Sequence, residues 1–393
     1  MKEGGKLNKR EIFFNLIRQQ ICGGELNEEI KEGIDTDTIK VLHETAKRYD
    51  ISSIVSSAIL SNGLSSDAEL SSILNNERML SVMRYRQMEY EIESISRTFE
   101  EAKIPYIPLK GALIRNLYPE KWMRTSCDID ILIKEDDVDR AIGVLCDGLS
   151  YKTDGQKAYH DVSLFSQSGI HLELHFSILE NKENIDKLLS NVWSYASPES
   201  EGGYRYVLTS EFLIFHVLAH TSYHFLCGGC GIRSIIDFYL LKTKLQYDNE
   251  KLSELCAESS IEKFRTSLEK LSLVWFEGKE HDELTKDIEE YVLNGGIYGD
   301  VETKTIVNRE KNGGKFKYLF KRIFLPYRAL CIRYPKLKNR RLLTPFYQAK
   351  RWFDVLFGAN SNGAVIEIST ILSSDKEKSK KIIELIDSVG LMN

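Results

Sequence analysis

The sequence predicts an α+β protein in which a small mixed sheet lies between N- and C-terminal helical regions. Three observations predict it. Long stretches at both ends space apolar residues three and four apart with few glycines or prolines, which is helical periodicity. A middle block of about 110 residues instead mixes short apolar runs with turn residues in an αβαβ order. Within it, "TSCDIDILIK" at 125–134 has the apolar run of a buried strand while carrying Asp128 and Asp130.

Taken in order, "NKREIFFNLIRQQI", "TDTIKVLHETAKRYDISSIVSSAIL" and "DAELSSILNNERMLSVMRYRQMEYEIESISRTFEEA" read as helices. "IPYIPLK" then reads as a strand and "GALIRNLYP" as a helix closed by Pro119. "CDIDILIK" is a strand, followed by the helix "EDDVDRAIGVLCDGL", whose first turn is acidic as the macrodipole favours. "DVSLFS" and "IHLELHFSI" alternate as strands, paired through the turn "QSG". From "LTSEFLIFHVLAHTSYHFL" the chain is helical again, "LNGGIYGDVETKTIVNREKNGGK" reads as a polar connection, and "DKEKSKKIIELIDSVGL" as a terminal helix. The expected divisions are 1–95, 96–205 and 206–393.

The 393 residues are 42% hydrophobic, 10% aromatic and 28% charged, an ordinary globular composition that excludes fibrous and disordered classes. The opening residues lack the apolar run of a secretory signal, and no stretch approaches the ~18 apolar residues of a membrane span. Seven scattered cysteines argue for a reducing compartment over a disulfide framework, so the expected location is the cytoplasm. The net charge of −5 hides an asymmetry: residues 315–351 hold twelve Lys or Arg and no acid, leaving 41 basic against 58 acidic residues elsewhere, a net −17. With eight aromatics, this block suits nucleic acid, an amphipathic solvated face, or the wall of a cleft for a short anionic ligand. The solvated face is the commoner case; of the two functional readings the cleft wall is expected over nucleic acid, because the acidic remainder opposes a long polyanion.

Side chains alternate along a strand, so Asp128 and Asp130 share one face and Ile129, Ile131 and Ile133 the other. Two carboxylates so close repel, the more so beside a core, unless a cation lies between them. Two further pieces supply a reason. Lys110-Gly111 falls where a strand turns into a helix, a place suited to phosphate. "HLELHF" offers Glu173 with His171 and His175 on its face. Such acids are what two Mg²⁺ ions about 4 Å apart require for phosphoryl chemistry.

On these residues the chain resembles the DNA polymerase β-like nucleotidyltransferase superfamily, whose motif is a strand, a glycine turn, a D-x-D strand and a third acid on a later strand. More narrowly, "IPYIPLKGALIRNLYPEKWMRTSCDIDILIKEDDVDRAIGVL" resembles the bacterial family of uncharacterised nucleotidyltransferases, and the likeness extends over most of the chain. The resemblance implies an NTP and Mg²⁺, with Mn²⁺ as an alternative ion. It implies Asp128, Asp130 and Glu173 as catalytic metal ligands, and Lys110, Gly111, Arg124 and His175 around the nucleotide or acceptor. One departure is that Ala112 follows Gly111 where the superfamily usually has Ser or Gly, so Lys110 would have to compensate by charge.

Each residue also has an ordinary counterpart. The aspartates fit a solvated strand end, Glu173 an exposed strand acid, His175 a hydrogen-bonded structural histidine and Arg124 a surface ion pair. His216, His220 and His224 fall on one helical face just before Cys227 and Cys230, a spacing that suits zinc or, equally, a packed helix. Arg233 and Asp237 are expected to pair at i,i+4, with His220 near the cleft wall. The expected activity is transfer of a nucleoside monophosphate from an NTP to an acceptor, with release of pyrophosphate. The alternatives are a non-catalytic binding module of the same fold and a metal-dependent phosphohydrolase or nuclease. The sequence leaves the acceptor open among small molecules, glycans, peptides, proteins and RNA ends.

Overall fold

Apolar side chains at helical spacing, with a capping side chain ahead of them, start most of the N-terminal helices. The computed structural model describes residues 8–157, 160–295, 301–311, 313–357 and 376–392. Asn8 caps α1 (Lys9–Cys22), Asn27 caps α2 (Glu28–Glu32) and Asp35 caps α3 (Thr36–Arg48), each through a side-chain oxygen that accepts a backbone N–H. After α4 (Ser52–Ser61), Asp67 caps the 35-residue α5 (Ala68–Ala102), which ends at Lys103 in the left-handed conformation, φ 54°.

The block that follows builds five strands: β1 (Tyr106–Pro108), β2 (Asp128–Ile133), β3 (Lys152–Lys157), β4 (Asp161–Phe165) and β5 (His171–His175). They lie in the order β1-β2-β5-β4-β3, with β2 and β5 parallel and the other neighbours antiparallel. α6 (Lys110–Ile114) and α7 (Val138–Leu149) connect them. The helix expected to run to Pro119 is shorter, one α turn followed by a 3-10 turn at Arg115–Leu117. β3 was not legible: "KTDGQK" has no apolar alternation, because an edge strand needs only backbone pairing with β4. A separate ribbon, β6 (Ala196–Pro198) and β7 (Tyr206–Leu208), follows α8 (Glu183–Leu189).

The rest is helical: α9 (Ser210–Leu226), α10 (Gly231–Lys244), α11 (Asn249–Glu258), α12 (Glu262–Glu277), α13 (Glu283–Gly295), α14 (Val301–Lys311), α15 (Lys315–Ile323), α16 (Tyr327–Arg333), α17 (Thr344–Phe357) and α18 (Lys376–Ser388). The architecture is therefore α+β with helical flanks, as the periodicity predicts. α14 corrects the reading of 301–311 as a loop. Ile306 and Val307 bury there, and Lys378 of α18 pairs with Glu302 at 2.6 Å. Residues 296–300 and 312 of that connection lie outside the described set.

The sheet divides two cores. Ile129, Ile131 and Ile133 of β2, with Leu172 and Leu174 of β5, pack beneath Phe99 of α5 and Leu145 of α7. Each such side chain contributes about 1.5–3 kcal/mol by leaving water, enough to hold a strand whose other face is acidic. Beyond that other face, helices from both ends of the chain share the larger core, in which Phe14 of α1 stacks on Trp275 of α12 at 4.4 Å.

Candidate active site

The period of the strand sets the first wall of the site. Asp130 stands opposite Glu173 and Asp128 opposite His171 in the parallel β2–β5 register, so these side chains share the face away from the isoleucines. The N–H of Leu109 donates to the carbonyl of Asp130 at 3.0 Å, which docks the end of β1 on β2 and brings Lys110 beside the acids. Lys110 itself sits at φ 28°, a strained backbone for a residue with a side chain. Lys110, Gly111, Asp128, Asp130 and Glu173 line one cleft of about 350 Å³ together with residues of α9 and α10.

The crowding of acids is answered by protein cations. His175 Nε2 lies 3.0 Å from Asp130 Oδ1 and 3.4 Å from Glu173 Oε2. Burial pushes the Asp130 carboxyl up, but Lys110 and the bond from His175 outweigh it and hold the group below the usual carboxylate range. The bond from His175 likewise lowers Glu173. Burial disfavours the His175 cation, yet its two carboxylate partners raise it to about 9. Asp128 differs: burial first, then Asp130 and Glu173, raise its pKa. Asp130, Glu173 and His175 bring ligand atoms within 4.8 Å of one another, and Asp128 is not part of that group.

α9 supplies the facing wall. Its N-terminus is capped by Thr209, and His220 and His224, one turn apart, reach the cleft. Glu180 Oε1 is 2.8 Å from His220 Nδ1, and His220 Nε2 is 3.4 Å from Lys110 Nζ and 3.0 Å from His224 Nε2. A carboxylate at Glu180 accepts a hydrogen bond from Nδ1–H and leaves His220 Nε2 as the acceptor facing the cleft. Burial, reinforced by Lys110, keeps the His220 ring well below its ordinary pKa. The zinc reading of this stripe does not hold: His216 is buried in the core, Cys230 is a buried thiol, and neither they nor Cys227 join a cluster of ligand atoms among the described residues. Glu180 was missed in the sequence because a single acid after a strand carries no pattern; only the fold brings it to His220.

Arg124 is buried and bidentate to Asp237, with Nε at 2.9 Å and Nη2 at 2.7 Å, while Tyr118 donates to Asp237 Oδ1 at 2.7 Å. Nη1 remains, and it packs on Gly111: a Cβ there would come within 2.9 Å of it. A side chain at 111 would therefore have to displace the guanidinium that Asp237 holds. The expected Arg233–Asp237 pair is corrected. Arg233 instead reaches back to Asp50 at 2.5 Å and to the carbonyl of Thr125 at 3.0 Å, because Asp237 faces the buried guanidinium. The expectation that the basic block lines the cleft is not met among the described residues, none of which in 315–351 lines it.

Searches of curated proteins and of solved structures each return no match. The family described as uncharacterised nucleotidyltransferase matches residues 36–276, which run from the start of α3 into the last turn of α12 and include every residue of the cleft described above, and the chain belongs to that family.

Proposed function

We propose that the protein moves a nucleoside monophosphate from an NTP to an acceptor, releasing pyrophosphate, with divalent ions at the β2–β5 acids. We also assign it to the DNA polymerase β-like superfamily on its Asp-Ile-Asp strand and later glutamate. The observation that carries the reading is the in-register pair Asp130 and Glu173 beside Lys110 in one cleft.

Hard oxygen donors from Asp130 and Glu173, gathered with His175 within 4.8 Å, fit Mg²⁺ or Mn²⁺, and Asp128 adds a carboxylate on the same face. Bound there, two ions would neutralise the pyrophosphate leaving group and acidify the acceptor. The chain's own groups do the rest. Lys110 meets phosphate charge at the mouth of the turn. Arg124, held by Asp237, fixes Gly111 and the path of α6, so its first contribution is positioning. His175 orients both carboxylates. His220, kept neutral by burial and oriented by Glu180, presents Nε2 to the cleft as a hydrogen-bond acceptor that orients the incoming hydroxyl or amine.

The test incubates the protein with Mg²⁺, each labelled NTP and fractionated cell metabolites, following pyrophosphate and labelled products. A nucleotidylated acceptor should form, and Glu173→Gln should lower its rate more than about a hundredfold with the fold retained. Labelled free nucleotide alone would make the protein a hydrolase. Mg²⁺–NTP binding without turnover would make it a binding module.

A further inference from the structure

The acid-free segment excluded from the cleft forms a surface of its own. On α15, Phe316 and Phe320 stand one turn apart and are 85% and 63% exposed, with Lys317 and Lys321 beside them around a shallow depression. Phe324 lies 4.8 Å from Phe320 and meets Trp352 of α17 edge-on at 5.4 Å. Arg351 and Trp352 both donate to the carbonyl of Ile323, at 2.9 and 2.7 Å, which ties the two helices together. Leu342 just before α17 is 97% exposed, and Leu343 and Phe346 are exposed with it. Nine of the sixteen large apolar side chains exposed among the described residues fall between 316 and 353.

The rings of Phe320, Phe324 and Trp352 adjoin, and exposed apolar side chains concentrated on one segment in this way mark an interaction surface. Charge decides the partner. Twelve cations with no acid in 315–351 favour an anionic surface, and a second copy meeting the same face would bring like charge against them. Single-stranded nucleic acid would stack on the rings, but Leu342, Leu343 and Ile323 have no ring to offer a base. A bilayer interface takes leucine, isoleucine and phenylalanine at the acyl boundary and lysine and arginine at the headgroups. The remaining −17 would turn the body of the protein away from an anionic membrane. No described helix is long and apolar enough to cross a membrane, so contact would be peripheral.

We propose that residues 316–353 dock the protein on an anionic lipid bilayer, with Phe316, Phe320 and Leu342 entering the headgroup boundary and the interleaved lysines and arginines meeting lipid phosphates. The test is flotation of the full chain with phosphatidylcholine vesicles, with and without phosphatidylglycerol. Binding should need the anionic lipid and weaken with salt. Phe316→Ser with Phe320→Ser should reduce it roughly tenfold per residue, and Lys317→Gln with Lys321→Gln about fivefold per charge. In the unaltered chain, brominated acyl chains should quench tryptophan emission, and Trp352→Phe should remove that quenching; this reading stands even if a double variant folds poorly. No flotation with either vesicle, flotation unchanged by the phenylalanine variant, or quenching retained in Trp352→Phe would overturn the proposal. So would preference for single-stranded RNA over vesicles, or a dimer dispersed by Phe316→Ser with Phe320→Ser.

Discussion

Asp128 and Asp130 are two residues apart on one strand face, yet their settings differ in sign. Asp130 is bonded by His175 and lies in the field of Lys110, while Asp128 is raised by burial and by the other two acids. Replacing each by asparagine should therefore act in opposite directions on the metal-free protein. Asp130→Asn should cost about 1–3 kcal/mol, as for a lost charged hydrogen bond, and Asp128→Asn should leave stability unchanged or raised because it relieves repulsion. Urea unfolding in the presence of a chelator reads both. A loss of similar size in the two variants would show that the sheet needs both carboxylates as structure. The shared face was legible from the two-residue spacing alone. Which acid is favourably paired was not, since that depends on His175 and on the docking of Leu109 against Asp130.

At the scale of the element, α9 couples the cleft to the core. His216, one turn before His220, is 1% exposed and its Nδ1 has no hydrogen-bond partner. Burial, with Lys110 nearby, lowers its pKa to about 3. Its folded value lies below the ordinary 6.5, so the unfolded chain takes up a proton that the folded chain refuses. Stability should be full above pH 6.5 and fall as the pH drops toward about 3, by up to about 1.4 kcal/mol per pH unit for this residue. His216→Leu should flatten that acid limb in urea midpoints followed from neutral pH downward. An unchanged limb would place the acid sensitivity elsewhere. In the sequence the three histidines looked equivalent because helical spacing puts them on one stripe. Depth in the core separates them: His216 is enclosed, whereas His220 and His224 reach the cleft.

For the whole molecule, the shared core makes the two ends of the chain interdependent. Arg18 of α1 donates to the carbonyls of Trp275 and Val274 at 2.7 and 3.0 Å, and Phe14 stacks on Trp275. Chemical unfolding of residues 8–295 should then register as one transition in which far-ultraviolet dichroism and tryptophan emission coincide. Trp275→Ala should shift both signals together, by about 3–5 kcal/mol. Two separated transitions would mean that the N- and C-terminal helices fold on independent cores.

The sequence by itself determined the α+β class, the strand at 128–133, the common face of its aspartates and the family pattern around them, because local periodicity and spacing carry that information. Tertiary structure alone decided the rest. Arg124 is committed to Asp237, 113 residues away; Arg233 pairs with Asp50, 183 residues away; and Glu180 reaches His220 across the cleft. It also decided that the described residues of the basic block stay outside the cleft. Charges find partners through space, at separations that no period in the sequence encodes, so ion pairs and cleft membership appear only once the helices from both ends have closed over the sheet.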